Sequence, residues 1–125
     1  IIGKNPFWKQ EINTGKRNNQ HFVNLPHARL INKIVYKAEM AGIKVKLMEE
    51  AYTSKCDHLA LEPIQHHDNY LGKRVKRGLF QSSIGKLINP DVNGSIGIGR
   101  KVVGDSIVKQ ITDSGLAFNP VKLTI

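Results

Sequence analysis

The stretch LINKIVYKAEMAGIKVKLMEE, residues 30–50, decides the fold class, because its apolar period changes halfway along. Leu30, Ile31, Ile34, Val35 and Ala38 recur at three- and four-residue intervals, the spacing that gathers side chains on one face of an α-helix. Asn24 stands as a cap, Pro26 in the first turn and Gly42 just past the end, residue types whose backbone preferences suit those places. The polar side carries Arg29, Lys33 and Lys37 and reads as a solvated face. After Gly42, Ile43, Val45 and Leu47 alternate with Lys44, Lys46 and Met48, the period-two signature of a half-buried strand that runs out at Glu49 and Glu50. Helix, glycine, strand is an α/β step. The helix, residues 27–41, is expected to pack on a sheet and return the chain so that strand 43–50 lies beside an earlier strand containing Ile2.

Outward from this step the pattern weakens. Residues 9–19 are polar and basic, include Lys16 and Arg17, and read as a solvated loop. Residues 56–70 have no period and contain Pro63, which predicts an irregular insertion. Two β-like runs, residues 74–80 and 84–88, flank Gln81, Ser82 and Ser83 and predict a hairpin. Its first arm holds the densest basic cluster, Lys73, Arg74, Lys76 and Arg77. On a regular strand Arg74 and Lys76 would share one face, Lys73 and Arg77 the other. Asp91 stands where a helix cap is expected, followed by an apolar stripe of Val92, Ile96, Val102 and Val103. Gly94, Gly97 and Gly99 interrupt that helix, each weakening it by about 1 kcal/mol relative to alanine. Beyond Gly115 no pattern is legible.

Composition narrows the function. The 125 residues, 40% hydrophobic, suit one domain with a modest core. Nineteen Lys and Arg against ten Asp and Glu leave a formal charge of +9, with a pI near 9.9, a balance that favours a polyanionic partner through phosphate neutralisation. The lone Cys56 cannot form an internal disulfide, and a cytoplasmic location is the expectation. No apolar run approaches the roughly 18 residues of a membrane span, and no secretion signal is visible. The chain opens at Ile1 without an initiator methionine, which predicts that it continues a longer protein.

Among chemistries that act on nucleic acid, phosphodiester hydrolysis on divalent ions needs carboxylates converging from separate elements, because hard cations take oxygen ligands. Glu49 and Glu50 end a strand, and Asp91 opens a helix. Residue by residue, a solvated strand end and an N-cap explain them as well.

Several blocks in register carry a resemblance: EEAYTSK at residues 49–55, GKRVKRGLF at 72–80 and INPDVNGS at 88–95, preceded by IIGKNPFWKQEIN at 1–13, GKRNNQHFVNLPH at 15–27 and YKAEMAGIKV at 36–45. In this order and spacing they resemble the TnpB/OrfB family, transposon-associated nucleases, also called transposases, that use a noncoding guide RNA and a RuvC-like fold to cut DNA. The resemblance implies an α/β fold: a truncated RuvC/RNase H-like domain with an inserted β-hairpin in place of a zinc ribbon. Residues 1–125 would be the C-terminal part of that nuclease domain, and residues 55–89 a degenerate zinc-ribbon-like insertion with the basic hairpin. The family's last RuvC aspartate falls on Asp91. Its middle acidic residue is missing from the strand IIGKN, where Gly3 stands, and in a subset of relatives lies just ahead of AYTSK. That position is Glu50, with Glu49 the alternative, since alternation puts Glu49 in phase with Ile43, Val45 and Leu47 while motif position favours Glu50.

In the intact protein, Mg or Mn would be held by Glu50 and Asp91, with DNA and guide RNA as partners. The basic residues Lys16, Arg17, Lys73, Arg74, Lys76 and Arg77 would contact nucleic acid. The family's first RuvC aspartate belongs to a strand upstream of Ile1, so an N-terminal part of the same protein is expected to complete the site. Many relatives also carry two CxxC pairs that bind zinc. Here Cys56, His58, His66 and His67 match no ribbon spacing, and no structural zinc is predicted. Two alternatives remain open: a non-catalytic nucleic-acid-binding fragment or degenerate copy, as the glycines of SIGIGRK suggest, and a structural RNA-binding protein.

Overall fold

The computed structural model describes residues 1–4 and 27–118, which fall into two compact units, Ile1–Glu49 and Glu50–Ile125. The described elements, three helices and two small sheets, make a small α/β protein. Among them no helix is long and apolar enough to cross a membrane.

In the first unit, strand β1 (Ile2–Lys4), helix α1 (His27–Met40) and strand β2 (Leu47–Glu49) follow in order. The two strands pair in parallel, with Ile2 opposite Leu47, Gly3 opposite Met48 and Lys4 opposite Glu49. This is the expected pairing of parallel strands joined through a helical connection. Gly42 ends the helix as the period implied. At φ +71 it takes the left-handed turn, its N–H donates to Glu39 O at 2.9 Å, and Ile43 N–H donates to Ala38 O at 2.8 Å. These paired bonds close a Schellman motif. Asn24 and Pro26 lie outside the described residues.

Two expectations for this unit change. Only Ile31, Val35 and Ala38 of the apolar stripe are half-buried, while Leu30 and Ile34 remain exposed. The second strand begins at Leu47 rather than Ile43, since the partner β1 offers three residues for a ladder. Along it Met48 is half-buried and Leu47 and Glu49 are exposed, the opposite phase to the one read from Ile43, Val45 and Leu47.

The second unit is an antiparallel meander and two helices: β3 (Lys73–Lys76), β4 (Leu79–Gln81), β5 (Leu87–Ile88), α2 (Pro90–Val103) and α3 (Ser106–Asp113). The run read as one hairpin arm folds back on itself at Arg77 and Gly78, where Gly78 adopts φ +76, so three strands form where two were expected. A second turn spans residues 82–86, closed by Ser82 N–H to Lys86 O at 2.9 Å. Helix α3 escaped the sequence reading because Ile107, Val108 and Ile111 give only one turn of periodicity over eight residues. Phe80 and Ile88, paired across β4 and β5, join Leu59, Ile96, Val108 and Ala117 in the core. Gly72 lies so close to the Phe80 ring that a Cβ there would collide with it.

The glycines of α2 also read differently in place. Gly94, Gly97 and Gly99 are buried. A Cβ on Gly97 would run into the His58 imidazole, and one on Gly99 would meet Ile107 Cδ1 at 3.1 Å. The propensity they forgo gives α2 a flat side on which residues 53–58 and α3 approach closely.

Candidate functional site

Residues 50–62 form no regular element, yet Cys56, Asp57 and His58 among them are at 0% relative exposure and Glu62 at 2%. Polar groups survive such burial only when hydrogen-bonded, and these are. The Asp57 carboxylate accepts from Ser82 Oγ at 2.7 Å, Ser83 N–H at 2.7 Å and Ser83 Oγ at 2.9 Å. Glu62 accepts from the N–H groups of Asp57 and Leu71 at 2.6 and 2.9 Å. Asn93 of α2 donates to Cys56 O at 2.9 Å and accepts from His58 N–H at 3.3 Å. Thus the irregular segment is fastened to the meander and to α2 by side chains performing the role of a backbone ladder.

His58 and Arg100 form the centre of this network. Arg100 donates to His58 Nδ1 at 3.0 Å, to Glu62 O at 2.9 Å and to Asp105 Oδ1 at 2.8 Å. A guanidinium cannot accept, so Nδ1 is the acceptor and the neutral ring carries its proton on Nε2, which donates to Thr53 O at 2.7 Å. Burial pushes the His58 pKa below its ordinary value, and the Arg100 charge adds to this against the opposing pull of the Thr53 carbonyl.

The histidines and the cysteine of this region make contacts of their own. Both His58 nitrogens are engaged. Burial pushes the Cys56 thiol up, away from the thiolate that a metal requires, and its Sγ faces the Pro63 and Gln65 carbonyls at 3.5 and 3.7 Å. His67 bonds Pro63 O at 2.8 Å, and His66 stands edge-on to Tyr52. Among the described residues no three His, Cys, Asp or Glu side chains group at metal-binding spacing.

The candidate carboxylates take three different settings. Glu49 closes β2 on its exposed face. Glu50 begins the second unit half-buried, and its carbonyl accepts from Thr53 N–H at 3.2 Å and Thr53 Oγ1 at 2.7 Å. Asp91 is exposed in the first turn of α2. It is not the cap. Asn89 takes that role, its side chain accepting from Asp91 N–H at 2.8 Å, with Pro90 opening the helix, so capping does not account for the Asp91 carboxylate. The turn that starts at Glu50 is tied along α2: Lys101 Nζ donates to Ala51 O at 2.8 Å, and a Cβ on Gly94 would lie 3.8 Å from Thr53 O.

The basic cluster is reorganised by a bulge. Lys73 pairs with Gln81, Arg74 with Phe80 and Lys76 with Leu79, a register shift that leaves Val75 as the extra residue. Cross-strand partners share a face, so Lys73 and Lys76 lie on the face of Leu79 and Gln81, while Arg74 lies on the face of Phe80. This reverses the pairing expected of a regular strand. All four residues of β3 are exposed, and Arg77 is exposed in the turn. Lys16 and Arg17 lie outside the described residues.

Residues 27–98 match the family model described as Cas12f1-like, TNB domain. No curated protein and no solved structure gives a significant match. With more than half of its length matched, the chain belongs to the Cas12f1-like TNB domain family, a family of the TnpB/Cas12 type related to RNA-guided nucleases.

Proposed function

We propose that this chain supplies the later part of a RuvC-like, metal-dependent DNA-cutting centre in a TnpB-type, RNA-guided nuclease. Glu50 and Asp91 are the metal ligands of this reading, and β3 is its main phosphate contact. The observation that supports it is the approach of the Glu50 turn to α2 one turn beyond Asp91, where a Cβ on Gly94 would lie 3.8 Å from Thr53 O, together with a cap assigned to Asn89 rather than Asp91. Two carboxylates outside any ion pair among the described residues are the hard oxygen donors that Mg or Mn takes. When bound, such an ion polarises a phosphoryl oxygen and lowers the pKa of a bound water. The chain's own part is to hold the two carboxylates and to draw the nucleic-acid backbone in with Lys73 and Lys76. A third carboxylate comes from elsewhere in the intact protein.

The test is DNA cleavage by the intact protein loaded with its guide RNA in Mg²⁺. Glu50→Gln and Asp91→Asn should each abolish cutting, with guide RNA affinity retained. Cutting at the parent rate by Asp91→Asn would defeat the reading. Gly3, opposite Met48 on β1, stands where the family resemblance places a carboxylate, and it favours a second reading in which the chain binds nucleic acid without cutting. In that case the parent protein itself fails to cleave while still binding.

A further inference from the structure

Tyr52 carries backbone strain that the packing of the unit does not use. Its φ is +64, the left-handed region that a bulky side chain enters only at a cost. Such a residue persists where its surroundings over-determine it, and here both neighbours are pinned. Lys101 Nζ holds Ala51 O at 2.8 Å, His58 Nε2 holds Thr53 O at 2.7 Å, and Thr53 Oγ1 reaches back to Glu50 O at 2.7 Å. Tyr52 O itself accepts from the N–H groups of Lys55 and Cys56, each at 3.3 Å. All of this fixes main chain. Tyr52 stays 45% exposed and takes no part in the core.

What the strain achieves is the presentation of an exposed aromatic face from a pinned main chain. The His66 ring stands perpendicular to it, 6.3 Å between centroids at 82°, while the Lys55 ammonium lies over the Tyr70 ring, 5.9 Å from its centroid. An exposed aromatic ring on a chain of formal charge +9 matches a nucleotide, whose base offers a π-face and whose phosphate offers a charge. In a duplex the base faces are already stacked, so the complementary partner is an unpaired nucleotide.

We propose that Tyr52 is a base-stacking platform for an unpaired nucleotide in the strand bound by this chain. The proposal rests on the nucleic-acid reading above but not on the metal site. Its chemistry is common to DNA and RNA.

The test measures affinity of the full chain, by fluorescence anisotropy at fixed low salt, for labelled oligothymidylate, oligouridylate, an abasic strand of the same length and a blunt duplex. Tyr52→Gly is the informative variant, because glycine accepts the left-handed backbone and should melt no lower than the parent. It should bind both base-bearing strands about 5- to 50-fold more weakly, with affinity for the abasic strand unchanged. Tyr52→Trp should retain parent affinity, and the parent should prefer base-bearing to abasic strands. A preference between the thymidylate and uridylate arms identifies which strand supplies the base. The proposal is overturned if the parent treats base-bearing and abasic strands alike, or if Tyr52→Gly binds as the parent does; this second comparison is independent of any change in fold in the variant. Failure of the broader reading looks different: no binding of the parent to any of the four probes.

Discussion

Helix α1 and the segment of residues 53–62 divide regularity and burial between them in opposite ways. The helix has its backbone bonds in register and a Schellman end, yet Leu30, Ile34, Tyr36 and Met40 along it are exposed. The segment has no regular element, yet Thr53, Cys56, Asp57, His58, Leu59 and Glu62 are buried. A helix satisfies its backbone internally and tolerates water on its sides. An irregular segment has no such provision, so burying it requires side chains to supply the missing partners. The irregular segment of the second unit is therefore held in place by Asp57, His58, Asn93 and Arg100 rather than by a repeating backbone pattern.

That contrast is easiest to break at Asp57. Replacing it with alanine leaves the buried Ser82 hydroxyl and the part-buried Ser83 N–H and hydroxyl without their acceptor, a loss of roughly 3–5 kcal/mol by the cost of unsatisfied buried groups. Ile34→Ala, on the exposed side of α1, should cost less than about 1 kcal/mol. Urea unfolding of the full chain, followed through the amide signals of each unit, compares the two. Similar losses would erase the distinction.

Gly97→Ala sharpens it at a smaller scale, because two rules give opposite signs. Helix propensity favours alanine by about 1 kcal/mol, while overpacking against the His58 ring opposes it by about 1–3 kcal/mol. Net destabilisation in the same unfolding measurement shows that packing prevails. Net stabilisation would mean that His58 can withdraw from the helix, and that the glycine is not needed for its approach.

The smallest effect is one of pH. His58 is held neutral below its usual range by burial, so between its folded and unfolded pKa values the unfolded chain binds the extra proton. Stability of the second unit is then full above about pH 6.5 and falls as pH drops through the folded value, by at most about 1.4 kcal/mol per pH unit. His58→Gln removes that contribution, so its stability should change less than the parent's across this window. An unchanged slope would place the titration on another group.

The same contrast explains what could be read from residues alone. The α1 period, the Gly42 stop and the parallel pairing of strands around them were legible because each is a repeating or local backbone requirement. The polar network was not, since Asp57 reaches residues 25 and 26 positions away and His58 reaches 42 positions to Arg100. Nor was the bulge at Val75, which puts Arg74 and Lys76 on opposite faces without altering the composition of the strand. The three glycines of α2 looked like decay because propensity is local, whereas the reason for Gly97 is a ring 39 positions earlier in the chain. For the candidate site, motif order pointed to Glu50 and Asp91, but only the Asn89 cap removed the competing explanation of Asp91.

The proposed sharing of one divalent ion by Glu50 and Asp91 can be read out by titrating Mn²⁺ into the isotope-labelled full chain and following paramagnetic broadening of its amide signals. Ala51 and Tyr52 should broaden together with Val92 and Asn93 at the same Mn²⁺ concentration, and Glu50→Gln or Asp91→Asn should weaken both sets at once. Broadening of one set without the other, or a variant that spares the opposite set, would contradict a shared site.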